Sequence, residues 1–493
     1  MKQNYITPQK ILISIILSIF SITSFAQGWE KIWGGAGLDF GRSVRQCADG
    51  GYIFTGEGTS YGQAIFVGRT DSNGDTLWIK HFGHPSYNQW DHPNSIIQSA
   101  DGGYVLTGEA WSFGGANNIG DPFLIKLDSL GNWLWTRIYP NSNAIDEAKA
   151  VIQTIDGGYI IASRGSYSTT LPNLDYMLIK TDSMGFTSWI KTYSGLGALS
   201  GESVQQTSDS GFIMSGYIEA PLDTNGLYGD TTGLFLMKTD TGGTVQWVKI
   251  YSYLKTGWAK AINYVCQTSD GGYAVVGDKE DPVLISKSYL LKLDANGDTL
   301  WSRIFDLQGG DNYAESVLET TDGGIVLTGS SYDSLLVIRL FLLKIDQAGT
   351  VQWVKYFQDY TSGCEVHQTT DNGFIIVGGK YQNQTMWDLY LVKTDSLGNV
   401  TTGLPDIFQS SEQVIVYPNP FVNKVSIILN TKNVKEAIIS VHNLLGETLY
   451  VRQEKGFPGI YSRTLDLSFL PTGVYFMDIT VDGKQTVKKI VKE

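Results

Sequence analysis

At 493 residues the chain exceeds the usual size of one compact domain, so at least two domains, or a large repeat array with an appendage, are expected. Glycine (56 residues) and aromatics (12%) are abundant while charged residues make up only 17%, a balance that favours strands joined by tight turns and points to an all-β fold. A net charge of −13 offers no footprint for a nucleic-acid backbone, and three scattered cysteines do not make a disulfide framework, so Cys47, Cys266 and Cys364 are expected as buried free thiols.

In chain order the first element is residues 1–26. Lys2 and Lys10 precede an apolar run from Ile11 to Phe25, and Ser24-Phe25-Ala26 stands before Gln27, the pattern of a cleaved signal peptide. No cysteine follows that site to carry a lipid, and no later apolar run is long enough to span a bilayer. The mature chain is therefore expected to have no transmembrane segment.

A tandem repeat follows. Asp-Gly-Gly or a close variant recurs at Asp49, Asp101, Asp156, Asp209, Asp270, Asp322 and Asp371, spaced 49 to 61 residues. Asp-x-x-Gly alternates with it at Asp71, Asp128, Asp182, Asp240, Asp294, Asp346 and Asp395. Four short strands can be drawn per repeat; in the second copy they are 95–99, 104–109, 123–128 and 133–139. Gln46, Gln98, Gln153, Gln206, Gln267, Glu319 and Gln368 form one column three residues before the first Asp, and a β-branched column lies two residues further back, the alternation of a pleated strand.

Seven residues after the second Asp stands Trp78, Trp135, Trp189, Trp247, Trp301 or Trp353, each followed by x-[Lys/Arg]-x-[Tyr/Phe], but the seventh copy has Thr402 there. The missing strand is Trp29-Glu30-Lys31-Ile32-Trp33 at the other end of the chain. An open array has no use for an orphan fourth strand, whereas a ring uses it to complete its last sheet. The expected body, residues 27–404, is a seven-bladed β-propeller closed by an N-terminal velcro strand. Its alternation of Asp-Gly-Gly-Tyr with Leu-x-Lys-x-Asp-x-x-Gly-x-x-x-Trp resembles secreted bacterial propeller-like repeat proteins and, more distantly, quinoprotein-type propellers; the resemblance implies a fold and no activity.

After a polar linker at 405–413 the rhythm changes. Tyr417-Pro418-Asn419-Pro420-Phe421, then Asn443-Leu444-Leu445-Gly446, then Gly473-Val474-Tyr475-Phe476 mark alternating strands and turns, the pattern of a small Ig-like β-sandwich over 414–493. The ordered motif set resembles the type A C-terminal sorting domain of the type IX secretion system. That resemblance implies the type IX machinery as a partner, and an address that is secreted or held at the outer-membrane surface after passage through the periplasm. It implies a sorting role for Tyr417, Pro418, Asn419, Pro420, Gly446, Gly473 and Tyr475.

With four antiparallel strands per repeat, both short signatures fall on one side and the long, unlike loops share the other. Trp90, Trp111, Trp258 and Trp387 fall in or beside those loops, where exposed aromatics serve sugar stacking or protein contact. They are the candidate ligand-binding residues of a non-catalytic binding protein whose ligand is a glycan or a protein. An alternative is a carbohydrate-active hydrolase or lyase using loop carboxylates among Asp91, Asp146, Asp223, Asp230, Asp281 and Asp311. A structural or adhesive surface protein is a third. The spacings Asp71-x-Asn73-x-Asp75 and Asp294-x-Asn296-x-Asp298 invite calcium, and His84 with His92 invites zinc, but hairpin turns and loop polarity explain both. No catalytic residue, metal site or cofactor is assigned.

Overall fold

The computed structural model describes residues 28–35, 37–58, 65–83, 91–111, 120–140, 146–165, 175–193, 198–219, 231–254, 264–280, 285–382, 386–400, 413–417, 421–443, 446–481 and 484–492. All regular structure among them is β, and no described helix is long and apolar enough to cross a membrane. The chain divides into two compact units, 1–403 and 404–493.

In the first unit, antiparallel sheets of four strands follow one another. The second shows the plan: His92–Gln98, Tyr104–Ala110, Asp121–Leu127 and Trp133–Ile138, hydrogen-bonded in that order. The first strand begins at His92 rather than Ser95, and the third stops at Leu127 because Asp128 belongs to the turn. The middle strands are buried along their whole length, with apolar residues at their centres, whereas the fourth is exposed at its first two residues and half-buried along the rest.

The seventh sheet is composite. Thr361–Gln368, Phe374–Tyr381 and Trp387–Thr394 supply three strands, and Trp29–Trp33 pairs antiparallel with the last of them. Trp29 lies opposite Lys393. In the other six sheets the column tryptophan lies opposite Arg69, Lys126, Lys180, Lys238, Lys292 or Lys344, so Trp29 fills the place that Thr402 leaves vacant.

These cations are almost fully buried, and each reaches the Asp of its own first turn, as Lys126 does to Asp101 at 2.6 Å and Lys292 to Asp270 at 2.7 Å. The second-turn Asp accepts backbone N–H groups two and four residues on: Asp71 Oδ1 takes those of Asn73 at 2.8 Å and Asp75 at 2.9 Å, and Asp294 does the same. The oxygen spacing that resembles a calcium loop thus builds a hairpin turn.

Adjacent sheets are joined by one repeated set of contacts. Each column tryptophan lies on the left-handed glycine of the next sheet's second turn, for example Trp78 on Gly131, whose φ is +74° and where a Cβ would stand 2.6 Å from the indole. Each first-strand Gln or Glu accepts a backbone N–H from the preceding sheet's first turn, Gln98 from Ala48 at 2.9 Å. Seven apolar clusters are each shared by two neighbouring sheets. The seventh and first sheets meet in the same way: Trp29 lies on Gly74, Gln46 accepts from Thr370 at 2.8 Å, and Val44, Tyr52 and Phe54 pack with Ile375, Val377 and Leu391.

The second unit is one five-stranded sheet made of Gln413–Tyr417, Lys424–His442, Thr448–Asp466, Gly473–Val481 and Lys484–Lys492. The first half of Lys424–His442 pairs with Gln413–Tyr417 and its second half with Gly473–Val481, with a register break between Asn430 and Asn433. Both halves feed one core, Val425 and Ile427 from the first and Ala437, Ile439 and Val441 from the second.

Candidate functional site

In six sheets the first strand carries a β-bulge at the same place, skipping Arg42, Asn94, Lys149, Glu202, Glu315 and Cys364 out of the pairing register. Bulges re-aim a side chain. The aligned position of the fifth sheet, Asn263, lies outside the described residues. All six bulged residues are half-buried and none is apolar in the ordinary sense.

Three of them enter a charged cluster with residues at the ends of the paired strands. Glu57 lies between Arg42, at 2.5 Å, and His92 Nδ1, at 2.6 Å. Burial alone would raise its carboxyl, but the His92 hydrogen bond and the Arg42 charge outweigh it and hold it at about 2. The same bond raises His92. Glu147 accepts from Lys149 at 2.6 Å, Arg164 at 2.5 Å and Asn94 at 2.9 Å; burial opposes its ionisation, and Lys149 and Arg164 prevail to lower it. Glu109, opposite His92 in the pairing register, has no such cation in its grip. Burial and the neighbouring charge of Glu147 push it up to about 7, so near neutrality it is partly a neutral acid.

Of the four candidate tryptophans, Trp90 and Trp258 lie outside the described residues. Trp111 is half-buried; its backbone N–H donates to the buried carboxylate of Asp91 at 2.7 Å and its side chain hydrogen-bonds Glu109. Trp387 packs edge-on against Phe40 at 5.5 Å and Tyr381 at 5.8 Å. The structure therefore keeps Trp111 beside the charged cluster and places Trp387 at the seventh sheet, next to the first. Among the candidate carboxylates, Asp91 supports Trp111, Asp146 is buried, and Asp311 accepts the Ser286 N–H at 2.8 Å, while Asp223, Asp230 and Asp281 lie outside the described residues. His84 lies outside them too, and among the described residues no group of three His, Cys, Asp or Glu side chains is placed to hold a metal.

Two features escaped the sequence reading. The first is the strand-borne trio Glu57, Glu109 and Glu147, which lies on the strands and not in the loops that carry the candidate aspartates; the bulge column, polar in six of its seven copies and cysteine in the last, was the available signal. The second is the group of large side chains on the loop side of the sixth and seventh sheets. Leu335 and Leu336 are 81% and 79% exposed, and Leu336, Tyr360 and Met386 hold φ of +60°, +60° and +52°.

The cysteines are free, with Cys47 and Cys266 buried and Cys364 half-buried; burial pushes the Cys364 thiol up to about 12. In the C-terminal unit, Tyr417 ends the strand Gln413–Tyr417, and Pro418, Asn419 and Pro420 lie outside the described residues. Gly446 turns at φ +79° with its N–H on the Asn443 carbonyl at 3.0 Å. Gly473 opens the strand that carries Tyr475, whose hydroxyl donates to the Pro471 carbonyl at 2.7 Å.

The first unit is thus an all-β, propeller-like array of four-stranded sheets, followed by a separate β unit. Residues 415–493 match the family model of the secretion system C-terminal sorting domain. A sorting domain of this kind implies export by the type IX secretion system, to the medium or to the cell surface. No curated protein matches it. Among solved structures, a lectin from Burkholderia pseudomallei is similar at 10% identity, covering 74% of this chain and 98% of its own, with a TM-score of 0.45. A fungal alcohol oxidase in complex with copper is similar at 12% identity, covering 95% and 99%, with a TM-score of 0.44. A protein of unknown function from Bacteroides caccae is similar at 11% identity, covering 62% and 94%, with a TM-score of 0.37. Similarities at this level identify no ligand and no activity.

Proposed function

We propose that residues 1–26 are a signal peptide, that 27–404 form a closed seven-bladed β-propeller, and that 405–413 link it to an Ig-like sorting domain at 414–493. Support for closure comes from the junction between the seventh and first sheets, which repeats the tryptophan, glutamine and core contacts of the other junctions. Support for a sandwich comes from the long strand whose two halves feed one core. Deleting residues 414–493 is expected to strand the protein in the periplasm, and normal secretion of that truncation would contradict the sorting role.

We further propose that the propeller is a non-catalytic binding protein that takes a glycan or protein ligand on its loop side. One observation carries this: on the turn side the same inter-sheet bonds recur copy after copy, with Leu130, Ile155, Met184, Phe186 and Leu397 exposed among them, whereas the loop side has no such repeated bond and in the sixth and seventh sheets gathers exposed Leu335, Leu336, Tyr360, Tyr381 and Met386 among the described residues. Replacing Trp111, Trp258 and Trp387 together by alanine is expected to abolish retention on a glycan or surface-protein array with the fold intact. Unchanged retention would remove these residues from the site.

A second reading, a carbohydrate-active hydrolase, is favoured by Glu57 and Glu109. They occupy equivalent places in adjacent sheets, yet one is held ionised at about 2 and the other raised to about 7, the division of roles a general acid and its partner need. Hydrolysis of a polysaccharide panel, lost in Glu109→Gln, would establish it; no turnover on the panel would leave the cluster as scaffold.

A further inference from the structure

We propose that the loop side of the sixth and seventh sheets is a docking surface for a partner protein, one with an apolar contact patch rimmed by basic side chains. This rests on the binding reading above and narrows it. The surface is formed by Leu335, Leu336, Tyr360, Tyr381, Met386 and Trp387. Their backbones are continuous across the two sheets: the Tyr360 N–H donates to the Ile338 carbonyl at 2.7 Å, two residues beyond Leu336, and the Tyr381 N–H donates to the Tyr360 carbonyl at 2.8 Å. Tyr381 is paired with Trp387 across the last hairpin, and their rings meet edge-on at 5.8 Å.

Backbone conformation shows that these side chains are not incidental. On the turn side, left-handed φ is met at two positions per copy, and the occupants are glycines apart from Ser210 and Asn372, residues that tolerate it. On the loop side Gly83, Gln308 and Gly309 share this region with Leu336, Tyr360 and Met386, and the last three, all on the sixth and seventh sheets, are 79%, 49% and 59% exposed. Glycine would be easier at each. A strained residue persists where its side chain is used. The tip is also held firmly: Asp333 Oδ1 accepts the N–H groups of Leu335 at 2.8 Å and Val337 at 3.0 Å, and Arg339 bridges Asp333 at 2.8 Å to Asp359 at 2.6 Å. A surface on a rigid hairpin loses little freedom on binding.

The chemistry of the surface selects the partner class. Tyr360, Tyr381 and Trp387 have faces that suit a sugar ring, but two leucines and a methionine beside them do not, and Tyr, Trp and Met together are the composition of a protein contact core. The chain's net charge of −13 repels an anionic membrane and a second copy of itself, and attracts a contact patch with a basic rim.

The test uses the purified full chain, a random-peptide phage library and a glycan array. Selected peptides are expected to be apolar with flanking Lys or Arg, and to lose about tenfold or more in affinity for Leu335→Ser/Leu336→Ser and for Met386→Ser. Both variants change exposed side chains, and circular dichroism checks their fold. Leu336→Gly separates use from structure, since it relieves the backbone and should raise the melting temperature while weakening the peptides. Peptides that bind every variant equally, or that are acidic, overturn the proposal. Glycans bound and lost in the variants, with no peptide selected, overturn the protein partner but leave the binding reading standing. If neither probe is retained on any part of the chain, both fall.

Discussion

Replacing Trp29 by alanine probes the junction between the ends of the repeat array. Trp29 is 8% exposed, meets Tyr52 edge-on at 5.5 Å, lies on Gly74 and donates its indole N–H to the Ser72 carbonyl at 3.2 Å. Truncating a buried tryptophan costs about 3–5 kcal/mol in lost transfer energy and residual cavity, and the hydrogen bond adds about 1 kcal/mol. Trp189 makes the corresponding contacts inside the array, with Phe212 at 6.4 Å and with Gly243. In a closed ring both substitutions cut one of seven like junctions, and Trp29→Ala costs at least as much as Trp189→Ala. In an open array the strand Trp29–Trp33 is a terminus that frays at little cost, so Trp29→Ala would cost well under about 1 kcal/mol. Guanidinium unfolding followed by far-ultraviolet circular dichroism measures both, and hydrogen exchange at Tyr390 and Val392 reports the strand paired with Trp29–Trp33. A Trp29→Ala transition that overlays the wild type while Trp189→Ala shifts would refute closure.

Three further predictions concern other parts of the first unit. In the first sheet Cys47 stands where siblings have Ser99 or Thr268, and Arg69 replaces the lysine, donating to the Tyr104 hydroxyl at 2.9 Å. Arg69→Lys should therefore cost about 1–2 kcal/mol, much of it recovered by adding Cys47→Thr; a double-mutant cycle with no coupling would contradict this. Leu336→Gly should stabilise the fold by up to about 1 kcal/mol, read as a higher melting temperature, because glycine removes the left-handed penalty. Glu109 is held at about 7 against an ordinary 4.5, so between these values the folded state binds more protons than the unfolded one and stability falls as pH rises. The difference amounts to about 3 kcal/mol, and Glu109→Gln should flatten that part of the stability profile.

Most of the array was legible because its determinants are local and repeated. Asp-Gly-Gly and Asp-x-x-Gly specify turns through a carboxylate and a left-handed residue, and seven copies let each column be read against its siblings. Trp29 could be assigned to the last sheet because Thr402 interrupts a column that Trp29-x-Lys31-x-Trp33 continues. The lysine column was visible in Leu-x-Lys-x-Asp, but its burial against the first-turn Asp was not, since a lysine between apolar residues reads equally well as an exposed strand position. The bulges could not be read because pairing register is a property of two strands. Leu335 and Met386 are not distinguished in the sequence, since exposure and φ belong to the folded chain.

The repeats also supply their own control for separating scaffold from function. A column that must make the same contact at every junction keeps its residue type, as the tryptophans on their glycines and the glutamines on the preceding turns do. Where geometry is shared and the residue is free to differ, divergence reports a demand that is not structural. The left-handed positions make this sharpest. On the turn side, and at Gly83 and Gly309 on the loop side, the backbone demand is met in the easiest way available, whereas Leu336, Tyr360 and Met386 meet it in a harder way and leave their side chains in solvent. Substituting the small residues that the turn side uses should lose nothing in folding, so the large ones owe their place to something outside the chain.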